Sequence, residues 1–167
     1  MKRQLVWKSL VDAYTSEIGH YKVIPLTSSA ALIEEGEEML HCVGKYDRVC
    51  HQGSTRVFSI RDRHDERAAT LALVFLDDNW QIEQIKGNAN WEVSLTERSY
   101  IADSCGVYEF DCTDMDSCRH NYSDMTEGRE VYETDYTDLY CLAHEVLDKY
   151  RMAWAVSARS IIMNAAR

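Results

Sequence analysis

The chain has 167 residues, of which 46% are hydrophobic, and it carries a formal net charge of −10 at pH 7. This length fits one domain with a real hydrophobic core, and the lack of an apolar run of about 18 residues argues against a membrane span. No signal-peptide core is visible either, so we expect a cytoplasmic protein with reduced thiols, and the acidic balance disfavours nucleic-acid binding by the whole chain.

The first helix is predicted over residues 4–18, where apolar side chains recur at three- and four-residue steps. These side chains are Val6, Leu10, Ala13, Tyr14 and Ile18. Gly19 supplies a plausible stop for this helix. Residues 21–24 then predict a short strand, whose further pairing is limited by Pro25.

A second helix is predicted to start at Thr27, Ser28 or Ser29, all good caps, and to present one apolar face. That face comprises Leu32, Gly36, Met39 and Val43. A glycine inside a helix costs about 1 kcal/mol, so we expect a close neighbour at Gly36. The remaining sides carry four glutamates that are expected in solvent, namely Glu34, Glu35, Glu37 and Glu38. Gly44 is expected to end the helix or to allow a tight change of direction.

Three strands are predicted next. Residues 55–62 alternate in character, residues 68–76 are apolar on both faces, and residues 80–86 follow a turn signal at 77–79. Together they predict a three-stranded antiparallel meander, with the earlier short strand as a fourth member.

The segment from about residue 99 to residue 136 lacks periodicity and is strongly acidic. Residues 103–138 contain eleven acidic residues against two arginines, which is nearly the whole net charge. A last helix of nearly thirty residues, capped by Thr137, is expected to cover the sheet or to pair with the first helix. We therefore predict one α+β domain over residues 1–167: a small antiparallel sheet of three to four strands packed against helices, an acidic insertion and a long C-terminal helix.

Polar residues at the ends of the predicted elements suggest a pocket. His41 titrates near neutral pH, and the adjacent Cys42 is a potential nucleophile, although neighbouring helical residues diverge by about 100 degrees. If the strand faces meet the helix end, the pocket comprises His41, Tyr46, Ser59, Arg61, Gln84, Lys86 and Asn90. Its candidates for catalysis are His41, Tyr46 and Arg61. Such a set suits a phosphate or a nucleobase edge. In the alternative interpretation, Arg61 and Lys86 are solvated and Gln84 satisfies a sheet edge.

The pattern over residues 21–95 resembles the PcfJ-like family. The matching residues are Glu35-Gly36, His41-Cys42-Val43-Gly44, Tyr46, Ser59, Arg61, Gln84, Gly87 and Asn90. Family members commonly sit on plasmids, phages and other mobile elements, so the resemblance implies that genetic context. It implies no catalytic set.

Two functions remain open. The first is a non-enzymatic interaction or inhibitor protein of mobile-element origin, such as an anti-CRISPR protein, whose acidic surface engages a basic, nucleic-acid-binding protein. The residues expected to contact that partner are Asp111, Asp114, Asp116, Asp124, Glu127, Glu130, Glu133 and Asp135. The alternative is a small enzyme or a nucleotide- or nucleic-acid-binding domain that uses the pocket. No cofactor or metal is expected, although Cys112, Cys118 and His120 could in principle gather around zinc.

Overall fold

A computed structural model describes residues 3–87 and 133–165, and within the last helix it describes the side chains of residues 138–160. In chain order the elements are β1 Tyr14–Thr15, β2 Lys22–Leu26, α1 Ser29–Met39, a 3₁₀ turn Val43–Tyr46, α2 Asp47–Gln52, β3 Thr55–Arg61, β4 Arg67–Leu76, β5 Asn79–Lys86 and α3 Glu133–Ala165.

The described strands form one antiparallel sheet in the order β1-β2-β3-β4-β5. The tight connection between β4 and β5 places Asp77 and Asp78 at positive φ, at 51° and 59°. Two consecutive left-handed residues are the geometry of the two-residue hairpin that matches sheet twist. The predicted α+β class and the meander are confirmed, with five strands instead of three or four.

The predicted N-terminal helix over residues 4–18 is wrong. This segment runs extended as an arm beside β2, with an isolated bridge between Val6 and Ser28 and the short strand β1. The Trp7 backbone N–H donates to the Thr27 carbonyl at 3.0 Å, and its indole Nε1 donates to the Leu26 carbonyl at 2.9 Å. The arm thus takes its hydrogen bonds from a distant part of the chain, and that tertiary pairing overrides the local helical spacing.

Two apolar clusters sandwich the sheet. On one face α3 packs Leu142, Val146 and Tyr150 against β3, β4 and β5, with Phe58 and Leu71 among the buried partners. On the other face α1 and α2 cover a smaller cluster, which consists of Leu26, Leu32, Val43, Cys50, Val57 and Ala72. The alternation of side chains along each strand divides the residues between these two layers.

The long helix covers the sheet as predicted, but it begins at Glu133, so Thr137 lies inside it and is not its cap. Acidic residues such as Glu133 and Asp135 favour the first turn of a helix, which accounts for the earlier start. None of the helices in the described ranges has the length and apolar character needed to cross a membrane.

Candidate functional site

The candidate site lies on the sheet face that α1 covers, beneath the end of that helix. The register places Ser59 opposite Thr70, and Thr70 opposite Lys86, in one row across β3, β4 and β5. In the next row Ala72 lies opposite Gln84. The antiparallel pairing therefore gathers polar side chains from three strands at one place on an otherwise apolar layer.

A buried glutamate anchors this row to the helix. Glu35 is fully buried, its Oε2 accepts a hydrogen bond from Arg67 Nε at 2.8 Å, and its Oε1 accepts one from the Thr70 hydroxyl at 2.7 Å. Arg67 also forms an ion pair with the exposed Glu34 at 3.3 Å. The carboxylate is thus held by a charge-assisted bond on one oxygen and by a hydroxyl on the other, as a buried charge requires.

The same threonine positions the histidine. His41 Nε2 lies 2.8 Å from Thr70 Oγ1. A hydroxyl has one proton, and that of Thr70 is donated to the acceptor-only Glu35 carboxylate, so the threonine oxygen must accept from the ring. We therefore assign the proton of neutral His41 to Nε2, which leaves Nδ1 with a lone pair.

The surroundings of His41 hold its pKa below the ordinary value of 6.5. Burial is the main cause, and the nearby Lys86 ammonium acts in the same direction. The Glu35 carboxylate and the backbone carbonyl of His41 itself oppose this shift, because both stabilise a protonated ring. At pH 7 the imidazole is consequently neutral, in the tautomer that Thr70 selects.

A tight turn delivers the histidine to this position. Helix α1 ends at Met39, because Leu40 adopts a left-handed conformation with φ of 55°, and the backbone N–H groups of Leu40 and His41 both reach the Gly36 carbonyl. A Cβ at Gly36 would lie 2.9 Å from the His41 carbonyl oxygen. The expected close neighbour of Gly36 is thus the returning chain. Gly44 does not end the helix, which stops about one turn earlier, and lies instead in the 3₁₀ turn, where the chain changes direction.

A shallow cleft opens between this turn and the strands β4 and β5. It is lined by His41, Cys42, Val43, Thr70, Ala72, Gln84 and Lys86. Gln84 Nε2 donates to the Tyr46 hydroxyl at 3.0 Å, and burial is the main cause that raises the pKa of Tyr46. The tyrosine therefore remains protonated at neutral pH and helps to fix the amide of Gln84 at the cleft.

The residues of the predicted pocket have different positions. His41, Gln84 and Lys86 line the cleft, and Tyr46 contacts it through Gln84. Ser59 is buried in the strand row, whereas Arg61 donates to Ser59 at 3.4 Å and forms an ion pair with Asp65 at 3.5 Å, in the β3–β4 turn.

Several predicted residues lie outside the described part of the chain. Asn90 is one, and so are the zinc candidates Cys112, Cys118 and His120. The same holds for the partner-contacting set Asp111, Asp114, Asp116, Asp124, Glu127 and Glu130, and for the side chains of Glu133 and Asp135. Among the described residues, no group of three or more His, Cys, Asp and Glu side chains is placed to hold a metal ion.

Sequence reasoning missed three members of the site. Glu35 was expected in solvent, and that prediction is wrong, because its spacing from Leu32 and Met39 puts it on the buried face of α1. Thr70 interrupts an apolar central strand, and Arg67 precedes it. Two features of the sequence indicate a buried polar contact: a hydroxyl in an apolar strand and a carboxylate on the apolar face of a helix.

A protein-family model described as PcfJ-like protein matches residues 2–100, which is more than half of the chain. The chain belongs to the PcfJ-like family. The match includes all the residues that line the cleft. It extends beyond the predicted range of residues 21–95 and includes the N-terminal arm. No curated protein and no solved structure matches the chain.

Proposed function

We propose that this PcfJ-like domain binds a phosphate-bearing group of a nucleotide or nucleic acid in the cleft beside His41. The observation that supports this proposal is the chain of contacts from Arg67 through Glu35 and Thr70 to His41. It fixes the orientation of a half-buried imidazole at the edge of a cleft that also contains Lys86. Preorganised polar groups of this kind reduce the entropic cost of binding a ligand.

The chemistry of the cleft favours a small oxyanion over an apolar ligand. Lys86 brings a positive charge, and the donors of Lys86 and Gln84 lie on neighbouring positions of the same strand face. The cleft is small and opens to the surface, so a ligand would contact it through one small polar group and leave its remainder at the surface. Because the chain carries a net charge of −10, contacts with many successive phosphates are disfavoured, and we expect one or two phosphates to be recognised.

The first test compares ligands that differ only in the phosphate. Adenosine and adenosine 5′-monophosphate, and a short oligonucleotide with and without a 5′-phosphate, are titrated into ¹⁵N-labelled protein and followed by NMR. We expect the phosphorylated member of each pair to shift the backbone amides of Thr70, Gln84 and Lys86, and the other member to have little effect. Equal binding of both members of each pair would contradict the proposal.

Matched variants then locate the binding. Lys86→Gln and His41→Ala should each weaken binding by about tenfold or more, as expected for the loss of a charged or oriented contact. The controls are Lys8→Gln and His64→Ala, since both residues are exposed and outside the cleft. Circular dichroism shows whether each variant retains the fold. An equal loss in the control variants would show that nonspecific charge, and not the cleft, binds the phosphate.

We propose a second function from the charge distribution of the sequence. Residues 103–138 hold eleven acidic residues and two arginines, so they are suited to bind a basic, nucleic-acid-binding protein in the cytoplasm, in the manner of an anti-defence inhibitor encoded by a phage or plasmid. A pull-down from host lysate at low and high salt tests it. Replacing Asp111, Asp114, Asp116 and Glu130 by their amides should abolish the capture, whereas His41→Ala should preserve it.

A further inference from the structure

We infer that the cleft takes up a proton together with its anion, and that His41 is the group that receives this proton. The inference rests on the phosphate-binding function proposed above and specifies its chemistry. The proton comes from solvent and adds to Nδ1 of His41, and no other bond is formed or broken. The bound state is then an imidazolium and an ammonium around one oxyanion.

The geometry around the ring is already suited to the protonated form. Nε2 faces the Thr70 oxygen at 2.8 Å, and that oxygen accepts, because its own proton is donated to Glu35. A hydrogen bond to the backbone carbonyl of His41 also favours the protonated ring. A proton added at Nδ1 leaves the bond from Nε2 to Thr70 in place, because an imidazolium donates from both ring nitrogens.

The charges on the elements packed around His41 explain why an anion is needed. Glu35 of α1 favours the protonated ring, but its charge is shared with Arg67 of β4. Lys86 of β5 disfavours it, and burial disfavours it most. Cys42, the neighbour on the same turn, is exposed. An oxyanion in the cleft beside His41 compensates the largest of these effects, because it replaces the solvation that burial removes from the imidazolium charge.

The sign of the pH dependence follows from linkage. Anion binding raises the pKa of His41, so the added affinity is fully present below the pKa of the unliganded protein. It is lost as the pH rises through the higher pKa of the complex. Between these two values the dissociation constant should increase by up to about tenfold per pH unit.

Sulfate is the probe that isolates this effect, because it stays fully ionised between pH 5 and 8 and contributes no titration of its own. The ring protons of His41 are followed by NMR against pH in the full chain, once in sodium sulfate and once in sodium chloride of equal ionic strength. His64, exposed in the β3–β4 turn, serves as an internal control in the same spectra. We expect sulfate to raise the apparent pKa of His41 by about one unit or more, and that of His64 by much less.

A variant pair tests the role of the threonine. Thr70→Val removes the acceptor at Nε2, so the sulfate-dependent rise in the His41 pKa should shrink. Thr55→Val changes another buried threonine, at the start of β3, and should leave the rise unchanged. The wild-type titration alone is decisive if Thr70→Val does not fold.

The outcomes separate the inference from the function on which it rests. If sulfate shifts the amides of Gln84 and Lys86 but the His41 pKa stays unchanged, the proton coupling is refuted and anion binding stands. If sulfate, adenosine 5′-monophosphate and the phosphorylated oligonucleotide all leave the cleft resonances unchanged, both proposals are refuted. A rise in the His64 pKa equal to that of His41 would also refute the coupling, because it would reveal a general salt effect.

Discussion

Replacement of Glu35 by glutamine tests the buried contact on which the site depends. The substitution preserves the size of the side chain and an oxygen that accepts from Thr70, but it removes the charge that faces Arg67 at 2.8 Å. A hydrogen bond to a charged group contributes about 1.5–3 kcal/mol. Arg67 retains the exposed Glu34 as a second partner, so we expect Glu35→Gln to lower the free energy of unfolding by about 2 kcal/mol.

The neighbouring residue provides a matched control. Glu34 forms an ion pair with the same arginine, but its side chain is 69% exposed, whereas that of Glu35 is 0% exposed. Surface ion pairs contribute about 0–1 kcal/mol, so Glu34→Gln should change stability by about 0.5 kcal/mol or less. Urea unfolding, followed by tryptophan fluorescence, to which the buried Trp80 contributes, and by circular dichroism, measures both changes. With an m-value of about 2 kcal/mol per molar, the midpoint of Glu35→Gln should fall by about 1 M.

A double-mutant cycle with Arg67→Gln completes the test. The two residues contact each other, so the double variant should be less destabilised than the sum of the single variants, by about 1–2 kcal/mol. Equal midpoints for Glu35→Gln and Glu34→Gln, or strict additivity in the cycle, would refute the buried ion pair and the orientation of His41 derived from it.

Four further outcomes are expected. Gly36→Ala should destabilise the protein by about 1–3 kcal/mol in urea unfolding, although alanine has the better helix propensity, because the new Cβ would lie 2.9 Å from a backbone oxygen. Gly44→Ala is the control and should destabilise the protein less, because the nearest atom to its Cβ would lie at 3.4 Å. Burial raises the pKa of the Cys50 thiol to about 12, so iodoacetamide at pH 8 should label the exposed Cys42 and leave Cys50 unlabelled. Peptide mass spectra measure the labelling, and equal rates at the two cysteines would contradict the packing. The same shift should make stability fall between pH 9.0 and about 12, where the thiol ionises in the unfolded chain first. Asp78→Gly should raise the melting temperature by a few degrees, because φ is 59° there and glycine adopts it without strain, and an unchanged or lower value would argue against the described turn.

Much of the site could be predicted from local sequence patterns. The remainder depends on contacts between residues that are far apart in the sequence. The cap at Ser28, the strand faces of Gln84 and Lys86 and the close approach at Gly36 follow from local patterns, and the structure has them. The roles of Thr70 and Arg67 were not predicted, because each contacts a residue about thirty positions away. Periodicity reports which face a residue occupies, but it does not identify the residue opposite.

By itself, the sequence determined the α+β class, the antiparallel meander and the long covering helix, since each depends on a local pattern of apolar residues that the chain displays over a whole element. Tertiary structure alone decided three features. The N-terminal segment became an extended arm because β2 offers its backbone hydrogen bonds. Helix α1 stopped at Leu40 because the chain folds back onto Gly36. Glu35 became buried because Arg67 and Thr70 compensate its charge, and that compensation exists only once the strand and the helix have packed together.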